Sequence, residues 1–306
     1  MRKEVVLSFL KENGYNVNEL SAVVGRGGMV PSVKAGAYKV NTTMVNRLRN
    51  NPVFEHASNL GALIAYEIAN SIGVSAYIYD SVRVDEMLDI ARVSGMPDIT
   101  RTSTCHALNS RAMAMKVAEK YGKKYGDMNF VVAHLGGGVS ISVHEKGKIV
   151  DVIADDEGPF SPERAGRVPC QALIDLCYCG KYDRKTMNKK QKGNGGIKAY
   201  LSTVDAREVE KMINNGDENA KLIYESMAYQ ISKGIGELST VVEGKVDAIV
   251  ITGGIAYSNM MTSWIKKRVE SIAPVEIMPG ENEMESLALG ALRVLRKEET
   301  AREYTE

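Results

Sequence analysis

No stretch of this sequence approaches the roughly 20 consecutive apolar residues that span a bilayer, so no membrane helix is expected. A dominant charge is lacking too. The 39 Lys and Arg against 38 Asp and Glu leave a formal net charge of +1, and the cations are spread rather than gathered in blocks. A phosphate-backbone partner selects for a basic stripe, so nucleic acid is not expected. Cysteine is sparse, with four in 306 residues. Cys105 stands alone, while Cys170, Cys177 and Cys179 fall in one apolar helical segment. The C-x-C of Cys177 and Cys179 has no second pair at zinc spacing, and the four read as reduced, buried thiols. Two nucleotide signatures are also missing. No G-x-x-x-x-G-K-[ST] occurs, which excludes a P-loop as a pattern. Gly25-Arg26-Gly27-Gly28 fails G-x-G-x-x-G because Val30 holds the last glycine's place, and Gly136, Gly138 and Ile141 fail likewise. The start, Met1-Arg2-Lys3-Glu4, brings an acid too early for a signal peptide, so the cytoplasm is the expected compartment.

What is present is the composition of a globular protein, 44% hydrophobic and 25% charged, long enough for two lobes. Its most informative feature is a pair of glycine turns launched from β-branched strands. The first is Phe130-Val131-Val132-Ala133-His134-Leu135-Gly136-Gly137-Gly138, followed by the alternating run Val139-Ser140-Ile141-Ser142-Val143. The second is Ala248-Ile249-Val250-Ile251-Thr252-Gly253-Gly254, followed by a helical pattern from about Ser258. Glycine lets backbone N–H groups approach a ligand, and a strand-to-helix corner adds the positive end of a helix. Either turn alone also reads as a plain corner; two together suggest a nucleotide held between platforms.

The hydrophobic periods alternate between those of strand and helix, the mark of an α/β protein. Helices are expected over Glu4 to Glu12, Asn59 to Ser71, Thr104 to Tyr121, Asp217 to Val242, Ser258 to Ser271, and from about Asn282. Strands are expected at Ser21 to Gly25, Val74 to Tyr79, Phe130 and its hairpin, Lys148 to Ile153, Val246 to Thr252 and Val275 to Met278. The expected division is a first lobe over 1–125, a second over 126–280, and a final helix, 281–306, returning to the first. Lys181 to Gly196 reads as a polar surface excursion.

Polar residues at the ends of these elements are the site candidates. Arg26 follows a strand in a glycine turn, where a guanidinium can clamp a carboxylate or phosphate or simply stay on the surface. Asp80 ends a strand and suits a site or a helix cap. Of the four histidines, His134 precedes the triple glycine, His106 lies near a helix start that favours its neutral form, and His56 opens Glu55-His56-Ala57-Ser58-Asn59-Leu60. Each of these three also reads as structural. His144, beside Glu145, reads as exposed. The loop from Asp155 to Arg167 carries Arg164 and Arg167 and suits either a phosphate clamp or a solvated role.

Eight blocks, in order along nearly the whole chain, carry a resemblance. They are Val23 to Gly28, Glu55 to Ala62, Tyr79 to Val82 with Asp85-Glu86-Met87, His106 to Asn109, Ala133 to Gly138, Gly158 to Gly166, Ile251 to Gly254, and Asn282 to Ala288. In these blocks the sequence resembles the butyrate kinases, within the acetate kinase branch of the sugar-kinase, actin and heat-shock-ATPase (ASKHA) fold. The resemblance implies two α/β lobes about a cleft and reversible, Mg²⁺-dependent transfer from ATP to a short-chain carboxylate, giving ADP and an acyl phosphate. It implies a homo-oligomer. Arg26 resembles the arginine that binds substrate carboxylate and phosphoryl oxygens, and Arg164, or Arg167 in an alternative register, its partner. Asp80 resembles the active-site aspartate, His106 the histidine that steadies the phosphoryl group, and His56 a further active-site histidine. His134 with Gly136, Gly137 and Gly138 resembles a phosphate loop, Gly253 and Gly254 the adenosine loop, and Glu283 the glutamate that reaches the magnesium ion through water. The turn at Arg26 lacks the histidines that flank the acetate kinase arginine, which favours the butyrate subgroup.

One departure from the resemblance stands at the start. Relatives of this kind open with a strand, a glycine-and-serine turn and a second strand that grip phosphate. Here the first helix begins at Met1, so a first lobe missing its leading strands is expected, from a mis-called start or a truncated gene. A chain so shortened is expected to be poorly soluble or inactive as a kinase. A phosphatase on the same fold, with Asp80 orienting water, and a binding or oligomerisation module are the rival readings.

Overall fold

The computed structural model describes residues 2–53 and 55–305; Met1, Phe54 and Glu306 lie outside them. The chain gathers into two compact units, one of residues 1–85 with 282–306, the other of residues 86–281. The break anticipated near Tyr125-Gly126-Asp127 falls inside the second unit. The helix Ala107–Lys120 before it shares one core with the strands after it, through Met113, Val117, Phe130, Val132 and Val250.

The first unit is a four-stranded sheet in the order β1-β3-β2-β9, with β1 Ala22–Gly25, β2 Ala37–Lys39, β3 Ser75–Tyr79 and β9 Arg302–Glu303. β1 runs parallel to β3 and β2 antiparallel to it. The helix Asn59–Ile72 presents Ala62, Ala65 and Ala69 to the sheet, small residues at helical spacing that let it pack close beside Ala76 and Ile78. It ends at Gly73, whose φ of 74° is a left-handed cap that glycine adopts without a Cβ clash. The C-terminal segment closes this unit. Glu299 accepts hydrogen bonds from the Tyr79 hydroxyl at 2.7 Å and the Ala37 N–H at 3.2 Å. Burial, then the charge of Asp80, pushes the Tyr79 hydroxyl's pKa up.

The second unit is a five-stranded sheet in the order β6-β5-β4-β7-β8. Its strands are β4 Phe130–Leu135, β5 Val139–Glu145, β6 Lys148–Ile153, β7 Ala248–Gly253 and β8 Val275–Pro279. The parallel neighbours β4 and β7 are nearly continuous apolar runs because both sheet faces are covered, whereas the edge strand β8 carries Glu276 and is only partly buried. Alternation sorts their side chains. Phe130, Val132, Ala248 and Val250 join the core under the helix Ala107–Lys120. Val131, Ala133, Ile249 and Ile251 join the other core, with Ile231 and Ile235 of the helix Glu218–Ser239 and Met261 and Ile265 of the helix Asn259–Val269. Full burial of such side chains is worth about 1.5–3 kcal/mol each, enough to hold each strand in one register.

Two sequence expectations fail here. His144 is fully buried rather than exposed, sharing hydrogen bonds with the Tyr125 hydroxyl at 2.8 Å and the Ser142 hydroxyl at 2.9 Å. The polar side of β5 looked like a solvated face, but it faces the covered side of the sheet. The second failure concerns the thiols. Cys105 is buried, yet Cys170, Cys177 and Cys179 are exposed. Their segment does form the helix Cys170–Tyr178, but all nine of its residues are exposed, so apolar composition did not bring burial within this chain. Among the described residues, no helix is long and apolar enough to cross a membrane.

Candidate functional site

In the first unit, the candidates gather where the parallel strands β1 and β3 end side by side. The turn after β1 is held tightly. Asn59, at the head of its helix, accepts the Met29 N–H at 2.7 Å, and the Ser81 hydroxyl donates to the Gly28 carbonyl at 3.3 Å. A Cβ on Gly25 would strike the Gly61 carbonyl, and one on Gly27 would lie 2.6 Å from the Ser81 Cβ. These glycines are required by close packing rather than by a ligand. Arg26 projects from this turn, half exposed, and its Nη2 lies 2.8 Å from the Glu283 carboxylate at the start of the helix Glu283–Leu295. Asp80 follows β3 with a φ of 41°, is buried, and accepts the Gly36 N–H at 2.7 Å. A non-glycine residue in that region carries backbone strain, which the surrounding bonds must hold. His56 sits on the exposed approach to the helix Asn59–Ile72, its Nδ1 2.8 Å from the Ser58 hydroxyl.

In the second unit, the candidates gather at the carboxyl ends of β4 and β7, the end of a parallel sheet where ligands bind in open α/β folds. His134, Ser140 and Thr252 are register partners across β4, β5 and β7 and therefore share a sheet face. That face meets the start of the helix Ala107–Lys120. His106, its N-cap, lies 2.8 Å through Nδ1 from the Ser140 hydroxyl and stacks on His134, with ring centroids 3.9 Å apart. Asn109 meets the His134 Nδ1 at 2.9 Å and the Thr252 hydroxyl at 3.1 Å.

The triple glycine follows. None of Gly136, Gly137 and Gly138 has a positive φ. For two of them neighbours impose the constraint: a Cβ on Gly136 would lie 3.2 Å from the His134 Nε2, and one on Gly138 would overlap the Arg164 guanidinium. Gly137 is exposed, with only the Glu163 carboxylate, at 3.8 Å, near its missing Cβ. Of the two alternative arginines, Arg164 lies against this turn, whereas Arg167 is exposed and bonds Glu237 and the Glu157 carbonyl. Arg164 pairs with Asp155, which Lys192 also reaches at 2.9 Å. Burial acts to raise the Asp155 pKa, but the Lys192 hydrogen bond and the two cations outweigh it and hold the carboxyl below its usual range. The Arg164 Nε is buried without a hydrogen-bond partner, the kind of donor that a bound anion satisfies. At the second turn Gly253 has a φ of 92°, and a Cβ there would strike the Leu135 backbone. Gly254 is exposed, with open space around it.

A model of the acetokinase family matches residues 99–285, more than half of the chain. The chain belongs to the acetokinase family. It is therefore a carboxylate kinase by family, a class that transfers phosphoryl groups from ATP. Solved structures agree on the fold. An acetate kinase from Porphyromonas gingivalis superposes with a TM-score of 0.80 at 20% identity, over 95% of this chain and 84% of that one. An acetate kinase from Entamoeba histolytica gives 0.80 at 15% identity, over 96% and 84%. A propionate kinase from Francisella tularensis gives 0.71 at 18%, over 93% and 82%. The expected ASKHA α/β fold is borne out.

The family match begins at Ile99, so the acetokinase region takes in all the second-unit candidates, from His106 to Gly254. Sequence reasoning gave no role to Asn109, Thr252, Ser140 and Asn59, although all four stand within motifs it quoted. Strand parity was the available signal: Thr252 and His134 precede their glycines by one and two residues, on strands whose β-branched runs are plain in the sequence.

Proposed function

We propose that this acetokinase-family chain transfers the γ-phosphoryl group of ATP to a short-chain carboxylate, with butyrate the favoured acid. In the forward step a carboxylate oxygen forms a bond to the γ-phosphorus, the bond from that phosphorus to the β–γ bridging oxygen breaks, and ADP leaves as the acyl phosphate forms. The carboxylate is already ionised at neutral pH, so the reaction needs positioning and charge neutralisation more than a base. The observation that carries this reading is the second unit's assembly of a glycine turn, Arg164 and two stacked histidines, inside the stretch that matches the family.

Roles follow from the chemistry of each group. Gly136, Gly137 and Gly138, flanked by His134, receive nucleotide phosphates together with Arg164; Gly253 and Gly254 line the adenosine side, and His106 donates to charge that develops on the transferring group. In the first unit Arg26 clamps the substrate carboxylate, with Asp80 and His56 supporting the site. The ion pair between Arg26 and Glu283 is partly exposed, and such pairs are worth about 0–1 kcal/mol, so a substrate carboxylate can replace Glu283 at little cost. Among the described residues no three His, Cys, Asp or Glu side chains come together as a metal cage. That donor set suits a Mg²⁺ carried on nucleotide phosphates, with Glu283 reaching its water shell, rather than one caged by protein. When bound, the ion would neutralise phosphate charge.

A coupled assay of ADP release, with and without butyrate, tests the reading. Release that requires butyrate and yields acyl phosphate is expected; release without acid indicates hydrolysis, and nucleotide binding without turnover indicates a binding module. In an active preparation, Arg26→Ala should lower kcat/KM for butyrate by about 10²-fold or more while leaving ATP affinity largely intact. Wild-type kcat/KM in that variant would remove Arg26 from the site. We further propose a homo-oligomer, supported by the exposed apolar helix Cys170–Tyr178.

A further inference from the structure

The second unit holds a hydrogen-bond relay centred on Asn109. This side chain is almost fully buried and reaches four groups. Its Nδ2 faces two backbone carbonyls, of Gly280 at 3.3 Å and of Glu281 at 2.5 Å. Carbonyls only accept, so the amide nitrogen must be the atom turned toward them. The Oδ1 is thereby turned toward the His134 Nδ1 at 2.9 Å and the Thr252 hydroxyl at 3.1 Å. An amide oxygen carries no hydrogen, so the short contact to His134 is a hydrogen bond only if Nδ1 bears the proton. In the neutral ring Nε2 is then the proton-free nitrogen. It is also the ring nitrogen on the side of the glycine turn, 3.2 Å from where a Gly136 Cβ would stand.

We propose that Asn109 is a positioning residue that locks His134 into the Nδ1–H tautomer and ties its orientation to the ends of β4 and β7. This deepens the phosphate-binding reading of the turn and rests on it only for its kinetic consequence. Three features make the lock specific. His134 and Thr252 are register partners, so one amide oxygen spans both strands at the level where each enters its glycine turn. The stacked His106 ring fixes the plane of His134 but makes no demand on its tautomer. And Asn109 is itself held from the opposite side by the two carbonyls, so it cannot rotate to offer its NH2 to His134 without leaving a buried carbonyl contact unmade. At metal sites, partners that orient a histidine from behind matter by about 10–100-fold when removed, which sets the scale here.

The test is ¹⁵N NMR of the imidazoles in the full chain, at a pH where His134 is neutral. In the wild-type protein the His134 Nδ1 should give a protonated, pyrrole-type signal and Nε2 a pyridine-type one. Asn109→Leu, similar in size but without an acceptor, should lose that preference and lower kcat by about 10-fold or more with a smaller change in KM. Asn109→Asp keeps an acceptor facing Nδ1 and should retain the tautomer, while its second oxygen, which cannot donate to the Gly280 and Glu281 carbonyls as the amide does, leaves kcat below wild type. A wild-type His134 protonated on Nε2 overturns the proposal without any variant, which covers the case where Asn109→Leu does not fold. An unchanged tautomer in a folded Asn109→Leu protein overturns it as well. If the tautomer behaves as described but the wild-type chain transfers no phosphoryl group, the functional reading fails and the positioning assignment stands.

Discussion

Single side chains divide into those the protein needs for packing and those left open toward a ligand. Gly138 and Gly253 belong to the first kind, since any Cβ there meets the Arg164 guanidinium or the Leu135 backbone. Gly137 and Gly254 belong to the second, both exposed and without a close neighbour. Gly137→Val and Gly254→Val should therefore each weaken ATP binding in calorimetry while circular dichroism and the melting temperature stay near wild type. Gly253→Val should lower the melting temperature itself, because its φ of 92° excludes a β-branched residue. Unchanged ATP affinity in the first pair would remove the turns from the nucleotide site. His106 is tested at the same scale. As a donor to developing charge it should contribute to kcat more than to binding, so His106→Ala is expected to lower kcat by about 10²–10³-fold with a smaller rise in the carboxylate KM. A raised KM with kcat unchanged would make it a binding residue instead.

Elements, rather than residues, explain where the sequence reading of β5 went astray. Alternating Ser and Val are the pattern of a half-solvated strand, and the sequence of β5 holds no sign that its polar side is covered. Tyr125, in the turn that follows the helix Ala107–Lys120, supplies that cover at His144, its hydroxyl 2.8 Å from the ring, and His144 is buried. Burial, with the Arg111 charge adding to it, lowers the His144 pKa to about 3. An unfolded histidine titrates near about 6.5, so between these values the unfolded chain binds a proton that the folded chain refuses. The stabilising contribution is whole above the unfolded pKa and is lost as pH falls toward the folded one, at up to about 1.4 kcal/mol per pH unit. Urea unfolding between pH 6 and pH 4 should show this as a stability slope that His144→Gln reduces by about one proton's worth. Parallel slopes for the two proteins would mean that His144 takes up a proton without unfolding.

At the scale of the whole molecule, the exposed helix Cys170–Tyr178 bears on assembly. Ile174 is 51% exposed and Tyr178 87%, with Leu173 and Leu176 exposed on the same helix, and large apolar side chains left in water mark a candidate interface. If the protein is a homo-oligomer built on this helix, light scattering should give a multiple of the chain mass, and Ile174→Asp should reduce it toward the single chain. An unaltered mass in a folded Ile174→Asp protein would place the interface elsewhere, and a monomeric wild type would end the proposal.

The sequence by itself determined the α/β class, the helices and strands that carry the candidates, and the acetokinase resemblance. Those follow from local causes: period, capping and glycine turns are properties of neighbouring residues, so Gly73 ends its helix and β4 and β7 are recognisable as strands from their own composition. Tertiary structure decided what depends on residues distant in the chain. It set Arg164 rather than Arg167 against Gly138, paired Arg26 with Glu283, buried His144 and exposed three of the four thiols. It also joined Asn109 to Thr252 across 143 positions, because strand register and the helix laid over it bring their side chains to one point. No local propensity encodes a contact of that range; it forms only when the two faces of the sheet are buried.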